Sequence, residues 1–421
     1  MAAALFAACQ APVPTVTADG TQVPASGEIQ GLDMDRLSKL ETLFADRVER
    51  GESAGYVGRV LLAGKPVYDF AVGRQGLEPD APPLSDTTRF RIASMTKPVI
   101  GVAVMTLVDD GLISLDDPVA DFIPSVGEMA VMGPDGDTTP ASRPITVRHL
   151  LTHMSGIGYK FDPVSPVGRL YTEANPYETA GTLEDAVETL AALPLYFQPG
   201  DRFFYSYGTD IAGRLVEVAS GRSLPDYLRA RIFDPLGMVD TGFHVGPEAA
   251  PSLATVYTKP PDGPLEPVPG DLFGDPLDPG TWPSGGAGLV STVADYSRFI
   301  AMLAGDGTTE GTRILSRPAF ALLVDDHFPE SFAAMLGGTP FDGIGMGLGV
   351  AVVKDPSKRP TLSGSGDFGW GGHYDTQFFV SPEYDVAAVV MTQLQPHPEA
   401  ADTQTLDLVK TAVLSAVMAK D

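Results

Sequence analysis

Hydrophobic spacing predicts a helix and then a hairpin near the start of the chain. Between residues 31 and about 50, apolar side chains recur mostly at three- and four-residue steps, which is typical of an amphipathic helix. Two short β-rich runs follow at 56–63 and 66–72, and Gly64 and Lys65 separate them as in a tight turn. The pattern therefore indicates an N-terminal helix that leads into a sheet.

The middle of the chain is mostly helical in pattern, and its end returns to β. Residues 99–108 are almost all apolar and stop at Asp109-Asp110-Gly111, as expected for a buried helix with a glycine C-cap. Helical periodicity recurs at 183–193, 207–220 and 293–303, between Pro/Gly-rich loops of which 246–282 is the longest. Strands are predicted at 345–353, 374–381 and 386–393, and a last helix from about 402 to 418.

This order predicts an α+β fold, in which an antiparallel sheet flanked by helices carries an all-helical subdomain. We expect residues 31–114 and 335–421 to form a sheet-containing α/β domain and residues 115–334 to form a mostly helical insertion. Residues 1–30 are predicted to be a flexible N-terminal tail or the remnant of a lipoprotein signal. The active site is expected in the cleft between the two domains.

The amino-acid composition limits the kinds of molecule that the protein is expected to bind. The chain has 421 residues, of which 43% are hydrophobic, so it can bury a large core. Asp and Glu number 54 against 28 Lys and Arg, and the formal charge of -26 would repel a nucleic acid. No segment approaches the roughly 18 uninterrupted apolar residues of a membrane span. A small molecule is the expected partner, and the sequence does not predict an oligomeric state.

Cys9 is the single cysteine, so no internal disulfide and no Cys-based metal site can form. Small residues precede it and a Pro/Thr-rich stretch follows, as at the end of a bacterial lipoprotein signal, but no Lys or Arg comes before and the apolar run is short. We expect a cytoplasmic or periplasmic protein, with a lipid anchor on Cys9 if the true start lies upstream.

His149 and His153 are spaced so that one helix face could carry both as metal ligands. No Glu accompanies them as in the H-E-x-x-H motif. We therefore predict neither a metal site nor a cofactor.

Ser94-Met95-Thr96-Lys97 matches the S-x-x-K pattern of serine hydrolases. On a helix this spacing puts the hydroxyl and the amine on one face, and Pro98 requires that the helix start close to Ser94. Taken alone, the same residues also fit a capping serine followed by a surface lysine. That alternative is weakened because Lys97 directly precedes the most apolar helix of the chain, where an unpaired ammonium is costly to bury.

Further motifs surround this pair in the chain. They are Arg89-Phe-Arg-Ile-Ala-Ser-Met-Thr-Lys-Pro98, Leu150-Leu-Thr-His-Met-Ser-Gly156, Phe204-Tyr-Ser-Tyr-Gly208, Ile232-Phe-Asp-Pro-Leu-Gly-Met238 and Gly285-Gly-Ala-Gly-Leu-Val-Ser-Thr292. In this order they resemble the signatures of class C β-lactamase-like serine hydrolases, and the resemblance covers residues 32–420. Within that group the chain is most similar to the family VIII carboxylesterases. The resemblance implies a fold like that of β-lactamases and penicillin-binding proteins.

By this resemblance, Tyr205 is the tyrosine that accepts the proton of the nucleophile Ser94 and passes it to the leaving group. A free phenol is too weak an acid to serve as a base at neutral pH, and a nearby cation such as Lys97 favours the phenolate. Tyr207 stands where the family's Tyr-x-Asn motif has an asparagine that helps hold the side-chain amide of a β-lactam. Lactam recognition is therefore in doubt, and Tyr207 is a candidate substrate-binding residue.

The family's third motif, Lys-Thr-Gly, is replaced by Trp370-Gly371-Gly372. An apolar Trp suits the uncharged flank of an ester, whereas no ammonium remains to hold a β-lactam carboxylate. By resemblance, the backbone N–H groups of Ser94 and His373 form the oxyanion hole. The two glycines are expected to let the substrate approach the strand, although a simple strand-entry turn is an alternative.

Gly51-Glu52-Ser53-Ala54-Gly55 matches the G-x-S-x-G motif of the α/β-hydrolases and makes Ser53 a competing nucleophile. That motif requires a strand, a sharp turn and then a helix, whereas Ser53 follows a predicted helix and precedes a predicted strand. We therefore predict that Ser53 lies in a helix-to-strand turn.

The sequence thus predicts a serine carboxylesterase that hydrolyses short-chain esters through an acyl-enzyme on Ser94, with Lys97 and Tyr205 moving the proton. Short acyl chains are expected because the Pro-rich loops resemble the walls of a confined pocket. The alternatives of the same fold are a β-lactamase, a penicillin-binding D-amino-acid peptidase and a transesterase. A non-catalytic peptidoglycan-binding homologue is the alternative of a different class.

Overall fold

The computed structural model describes residues 31–329, 342–397 and 404–418, and the backbone of three short strands outside these ranges, Glu28–Ile29, Met335–Leu336 and Thr339–Pro340. The predicted N-terminal tail, including Cys9, lies outside the described residues apart from the first of these strands.

A seven-stranded antiparallel sheet joins the two ends of the chain. Its strands are β1 (Gly55–Leu62), β2 (Lys65–Gly73), β3 (Ile344–Met346), β4 (Ala351–Val353), β5 (Phe368–Gly371), β6 (Gln377–Ser381) and β7 (Val386–Met391). Their order across the sheet is β3-β4-β5-β6-β7-β1-β2. The pairing of β7 with β1, with Ala388 opposite Val60, unites the two halves. The predicted α+β fold with an antiparallel sheet is confirmed.

The β1–β2 hairpin turns one residue earlier than predicted. Leu62 pairs with Lys65, so the loop consists of Ala63 and Gly64. Both have positive φ, 50° and 74°, as the tight turns that match strand twist require. Lys65 therefore belongs to β2.

Residues 345–353, predicted as one strand, form a hairpin instead. The chain turns between β3 and β4, where Gly349 has φ 90° and the Gly347 N–H donates to the Val350 carbonyl at 2.8 Å. A Cβ on Gly349 would come within 2.8 Å of the Lys97 carbonyl oxygen. This turn therefore packs directly on the helix that carries Lys97, and only glycine allows so close an approach.

Helices pack on both faces of the sheet and also form much of the chain between β2 and β3. They are α1 (Met34–Leu37), α2 (Lys39–Glu49), α3 (Thr96–Asp109), α4 (Val147–Leu151), α5 (Pro166–Ala174), α6 (Pro176–Thr179), α7 (Leu183–Ala191), α8 (Gly208–Ser220), α9 (Leu224–Leu228), α10 (Asp234–Leu236), α11 (Val293–Ala304), α12 (Arg317–Val324) and α13 (Thr405–Ala416). The predicted N-terminal helix is thus two helices that meet at Ser38. The predicted start of the last helix, residue 402, lies outside the described residues. Within the described ranges, no helix is long and apolar enough to cross a bilayer.

The two faces of the sheet carry separate cores. Side chains of α1, α2 and α13 pack with one face, as Phe44 does against Tyr56. The larger core lies on the other face and contains α3, α8 and α11. Every residue of α3 from Thr96 to Leu107 is buried, and Pro98 lies in its first turn. A central, largely buried helix therefore carries the S-x-x-K pair at its N-terminus.

Candidate active site

Ser94 lies in a single turn of 3₁₀ helix, Ala93–Met95, immediately before α3. The Ile92 N–H donates to the Leu289 carbonyl at 3.0 Å and so fixes the residue directly before this turn. Ala93 has φ 42°, a left-handed conformation that is strained for a residue with a side chain. The protein thus holds the turn in an unfavourable conformation that presents a buried hydroxyl, 9% exposed, at a helix N-terminus.

Lys97 is completely buried and lies one turn after Ser94. Its Nζ donates to Ser94 Oγ at 3.2 Å and to the Gly286 carbonyl at 2.8 Å. No carboxylate of the described residues forms an ion pair with this ammonium, so its direct partners are neutral oxygens. Burying a cation in this way is unfavourable for folding, which points to a functional reason for its presence.

Tyr205 brings the third polar group to the same point. Its hydroxyl lies 2.7 Å from Ser94 Oγ, and its ring centroid lies 4.6 Å from Lys97 Nζ. The structure therefore brings together the three residues predicted to share a proton. The serine hydroxyl contacts both a phenol and an ammonium.

Asp210, which the sequence did not single out, holds the backbone of Gly286, the residue whose carbonyl accepts from Lys97. Its Oδ1 accepts from the Gly286 N–H at 3.0 Å and from Ser284 Oγ at 2.5 Å. The carbonyl of the same Gly286 is the one that accepts from Lys97. Burial raises the pKa of Asp210 above its ordinary value. Nothing in the sequence spacing connects these residues, because they meet only in the folded chain.

The end of β5 packs against the segment that leads into the Ser94 turn because residue 372 is glycine. A Cβ there would lie 2.3 Å from the Ile92 carbonyl oxygen and 2.2 Å from Thr376 Oγ1. Gly372 therefore permits close packing within the protein, and it also borders the cavity beside Ser94, from which the sequence predicted that a substrate would approach the strand. The backbone N–H groups of Ser94 and His373 have no acceptor within the described part of the chain.

A cavity of about 460 Å³ opens beside Ser94 and Tyr205. Trp370 and His373 form part of its wall, as predicted for the substrate-binding region, and the backbone of Gly371 also borders it. The Trp370 ring lies nearly parallel to the Tyr205 ring at 6.2 Å. The Ser94 hydroxyl thus faces an apolar, aromatic space.

Two aromatic walls, Phe161 and Phe273, were not identified from the sequence. Phe273 comes from the long loop 246–282, and Lys160 holds that loop by donating to the Leu272 carbonyl at 2.6 Å. The ammonium also lies 4.7 Å from the Tyr177 ring centroid, and burial lowers the pKa of Lys160 to about 8. These aromatic side chains and the lysine come from separate segments of the chain. No short sequence motif therefore marks the cluster.

His373 is a neutral wall of the cavity at physiological pH. Burial, together with the nearby Lys160 ammonium, lowers the pKa of its imidazole to about 4. The ring stacks on Phe161 at 5.9 Å and meets Phe273 edge-on at 5.5 Å. Its side chain therefore lines the cavity as an uncharged ring, and its backbone N–H is the predicted oxyanion donor.

The structure places Tyr207 away from the cavity, contrary to the expectation that it binds substrate. Its side chain is completely buried, and its ring stacks on Tyr159 at 4.3 Å. The first turn of α8 directs Tyr207 into a cluster of tyrosines behind Tyr205. Replacing the family's asparagine by tyrosine therefore fills the core rather than the substrate site.

Ser53 lies in the turn between α2 and β1, in the predicted order of helix, turn and strand. It is buried, and its Oγ lies 2.7 Å from the Thr392 hydroxyl. This turn is not the strand-to-helix elbow that a nucleophile of the α/β-hydrolases requires.

His149 and His153 do not share a helix face. Helix α4 ends at Leu151, and His153 follows with φ 58°. His149 Nδ1 accepts from the Thr146 N–H at 3.3 Å and so caps its own helix. Each histidine has a structural partner of its own.

Comparisons with known proteins identify the family and agree with the fold. A family model described as Beta-lactamase matches residues 40–411. Protein Rv1367c of Mycobacterium tuberculosis is 38% identical over 83% of this chain and 88% of its own length. Esterase EstB of Burkholderia gladioli is 30% identical over 84% of this chain and 90% of its own length. The solved structure titled "EstCE1, a hydrolase with promiscuous acyltransferase activity" superposes with a TM-score of 0.77 at 27% identity, covering 90% of this chain and 98% of that one. The chain therefore belongs to the β-lactamase family and, within it, to the serine hydrolases that resemble family VIII carboxylesterases.

Proposed function

We propose that this protein is a serine carboxylesterase that hydrolyses short-chain esters through an acyl-enzyme on Ser94. The observation that carries the proposal is the convergence of Tyr205 OH and Lys97 Nζ on Ser94 Oγ, at 2.7 and 3.2 Å. A nucleophile within hydrogen-bond reach of its proton acceptor, and an acceptor close to a cation, is the arrangement that serine hydrolysis requires. The likeness to Esterase EstB supports the ester as substrate class.

In the first half-reaction, Ser94 Oγ attacks the ester carbonyl carbon while its proton passes to Tyr205. The Lys97 ammonium, close to both groups, stabilises the negative charge on the accepting oxygen. The carbonyl oxygen becomes an oxyanion, and the N–H groups of Ser94 and His373 donate to it in this scheme. The C–O bond then breaks, and the alcohol leaves with the proton that Tyr205 returns.

In the second half-reaction, water takes the place of the alcohol. The water oxygen attacks the acyl carbon while the water gives a proton to Tyr205. Tyr205 then returns that proton to Ser94 Oγ as the carboxylic acid leaves. An alcohol other than water can follow the same route, and the aromatic walls Trp370 and Phe161 favour an organic acceptor. Acyl transfer is therefore a second candidate activity, which a competing alcohol in the assay tests directly.

The cavity walls predict a preference for short acyl groups. Phe161, Phe273 and Trp370 enclose the space beside Ser94, and a long chain would have to leave this aromatic enclosure. We expect kcat/KM for nitrophenyl acetate and butyrate to exceed that for the decanoate by at least about tenfold. Rates that fall steadily from decanoyl to acetyl esters would contradict the short-chain assignment.

The β-lactam nitrocefin is the control for the alternative activity within the fold. Trp370 presents an apolar ring where a β-lactam carboxylate would need a cation, so hydrolysis of nitrocefin should be much slower than that of nitrophenyl butyrate. Equal turnover of the two substrates would favour the β-lactamase or peptidase alternative.

A further inference from the structure

Tyr205 lies in a segment that no helix or strand fixes. Residues 202–206 form neither, and α8 begins only at Gly208. The position of the proposed proton acceptor therefore depends on contacts from elsewhere in the chain. Position matters greatly here, because misplacing a reacting group by about 1 Å lowers the rate on the order of 100-fold.

His153 makes such contacts on both sides of Tyr205. Its carbonyl oxygen accepts from the Phe204 N–H at 2.8 Å, and its Nδ1 accepts from the Ser206 N–H at 3.2 Å. Its ring centroid lies 4.6 Å from that of Tyr205. One residue thus contacts Tyr205 itself and fixes the residues before and after it.

His153 is itself held firmly. Its side chain is completely buried, and its backbone has the left-handed φ of 58°. The ring meets Phe203 edge-on at 5.8 Å and lies 6.5 Å from Trp370. The contacts on Tyr205 therefore come from a fully buried side chain that packs against aromatic rings on other segments.

The imidazole is neutral, which suits a structural role rather than proton transfer. Burial, reinforced by the Lys97 ammonium, keeps the pKa of His153 well below its ordinary value. Because Nδ1 accepts a hydrogen bond, the ring proton lies on Nε2, which has no partner among the described residues.

We propose that His153 is a positioning residue that holds Tyr205 within reach of Ser94 by binding the backbone on either side of it. The inference rests on the proposed function, since it concerns the placement of the proposed proton acceptor. It predicts that the loss of His153 lowers kcat, because Tyr205 is then misplaced relative to Ser94 during the chemical step. KM should remain nearly unchanged.

Two substitutions of similar size test this. His153→Asn places an amide oxygen near the position of Nδ1, and Asn tolerates a left-handed backbone, so kcat should stay within about fivefold of the wild type. His153→Gln places its amide near Nε2 instead and leaves the Ser206 N–H without its acceptor. It should lower kcat for nitrophenyl butyrate about 100-fold, with KM within about threefold. An equal effect of the two substitutions on kcat would overturn the proposal.

A double-mutant cycle shows whether His153 acts through Tyr205. Tyr205→Phe alone should lower kcat about 10³-fold, and adding His153→Gln should cost no more than about a further twofold. A further 100-fold loss in the Tyr205→Phe background would show that His153 acts elsewhere. Full activity of Tyr205→Phe alone would instead refute the proposed function. Circular dichroism and thermal melts on each variant confirm that the proteins compared are folded.

Discussion

Ser94→Ala is expected to lower kcat/KM for nitrophenyl butyrate by at least about 10⁴-fold. The substitution removes the oxygen that Tyr205 and Lys97 contact and leaves no nucleophile at the start of α3. Activity above the uncatalysed rate should persist at a low level, because the backbone donors of the oxyanion hole remain. Steady-state hydrolysis by the purified variant measures the loss.

Ser53→Ala is the matched control, since Ser53 is the serine of the competing G-x-S-x-G string. Its hydroxyl donates to the Gly55 carbonyl, accepts from the Gly55 N–H and bonds to the Thr392 hydroxyl. We expect kcat/KM within about threefold of the wild type and a loss of stability of about 1 kcal/mol from the broken hydrogen bonds. A loss of activity in Ser53→Ala as large as in Ser94→Ala would mean that the nucleophile has been misassigned.

Lys97→Met should separate activity from stability. We expect kcat/KM to fall about 10³-fold, because the cation that stabilises the accepting oxygen is gone. The thermal midpoint should be unchanged or higher, since the buried ammonium has only neutral partners in Ser94 and Gly286 and methionine fills a similar volume without desolvating a charge. Kinetics and a thermal melt on the same preparation give both quantities.

Lys410→Met provides the opposite case for stability. Lys410 is also buried, but its Nζ lies 3.0 Å from the buried carboxylate of Asp367. Removing that partner leaves an uncompensated charge and should destabilise the protein by about 3–5 kcal/mol. If Lys97→Met lowers the melting temperature as strongly as Lys410→Met and retains activity, Lys97 is a structural residue and the proposed chemistry fails.

The fold could be predicted from the sequence wherever burial leaves a clear pattern. The apolar runs of α3 and β1 follow from burial on all sides, and in β2 the buried Tyr68 and Phe70 alternate with more exposed residues. The β3–β4 hairpin was missed because its turn is itself buried, with Leu348 and Val350 completely inaccessible to solvent. A hydrophobic run of this kind contains no polar signal that marks a turn, and only its glycines indicate one.

The site was predictable only in part, for a similar reason. Ser94 and Lys97 are one helical turn apart, so local geometry alone suggests that they meet. Tyr205 is far away in the chain and could be placed only through the family resemblance. His153 and Asp210 act through backbone groups of other segments, and such contacts leave no spacing to recognise.

The central claim is that Ser94 carries the acyl group, and covalent labelling with a fluorophosphonate tests it most directly. The reagent is applied to the wild type and to Ser94→Ala, and peptide mass mapping then locates the modified residue. We predict a single phosphonylated peptide containing Ser94 in the wild type, loss of esterase activity in step with labelling, and no label in the variant. A label on another residue, or an active wild-type enzyme that resists the reagent, would contradict the account.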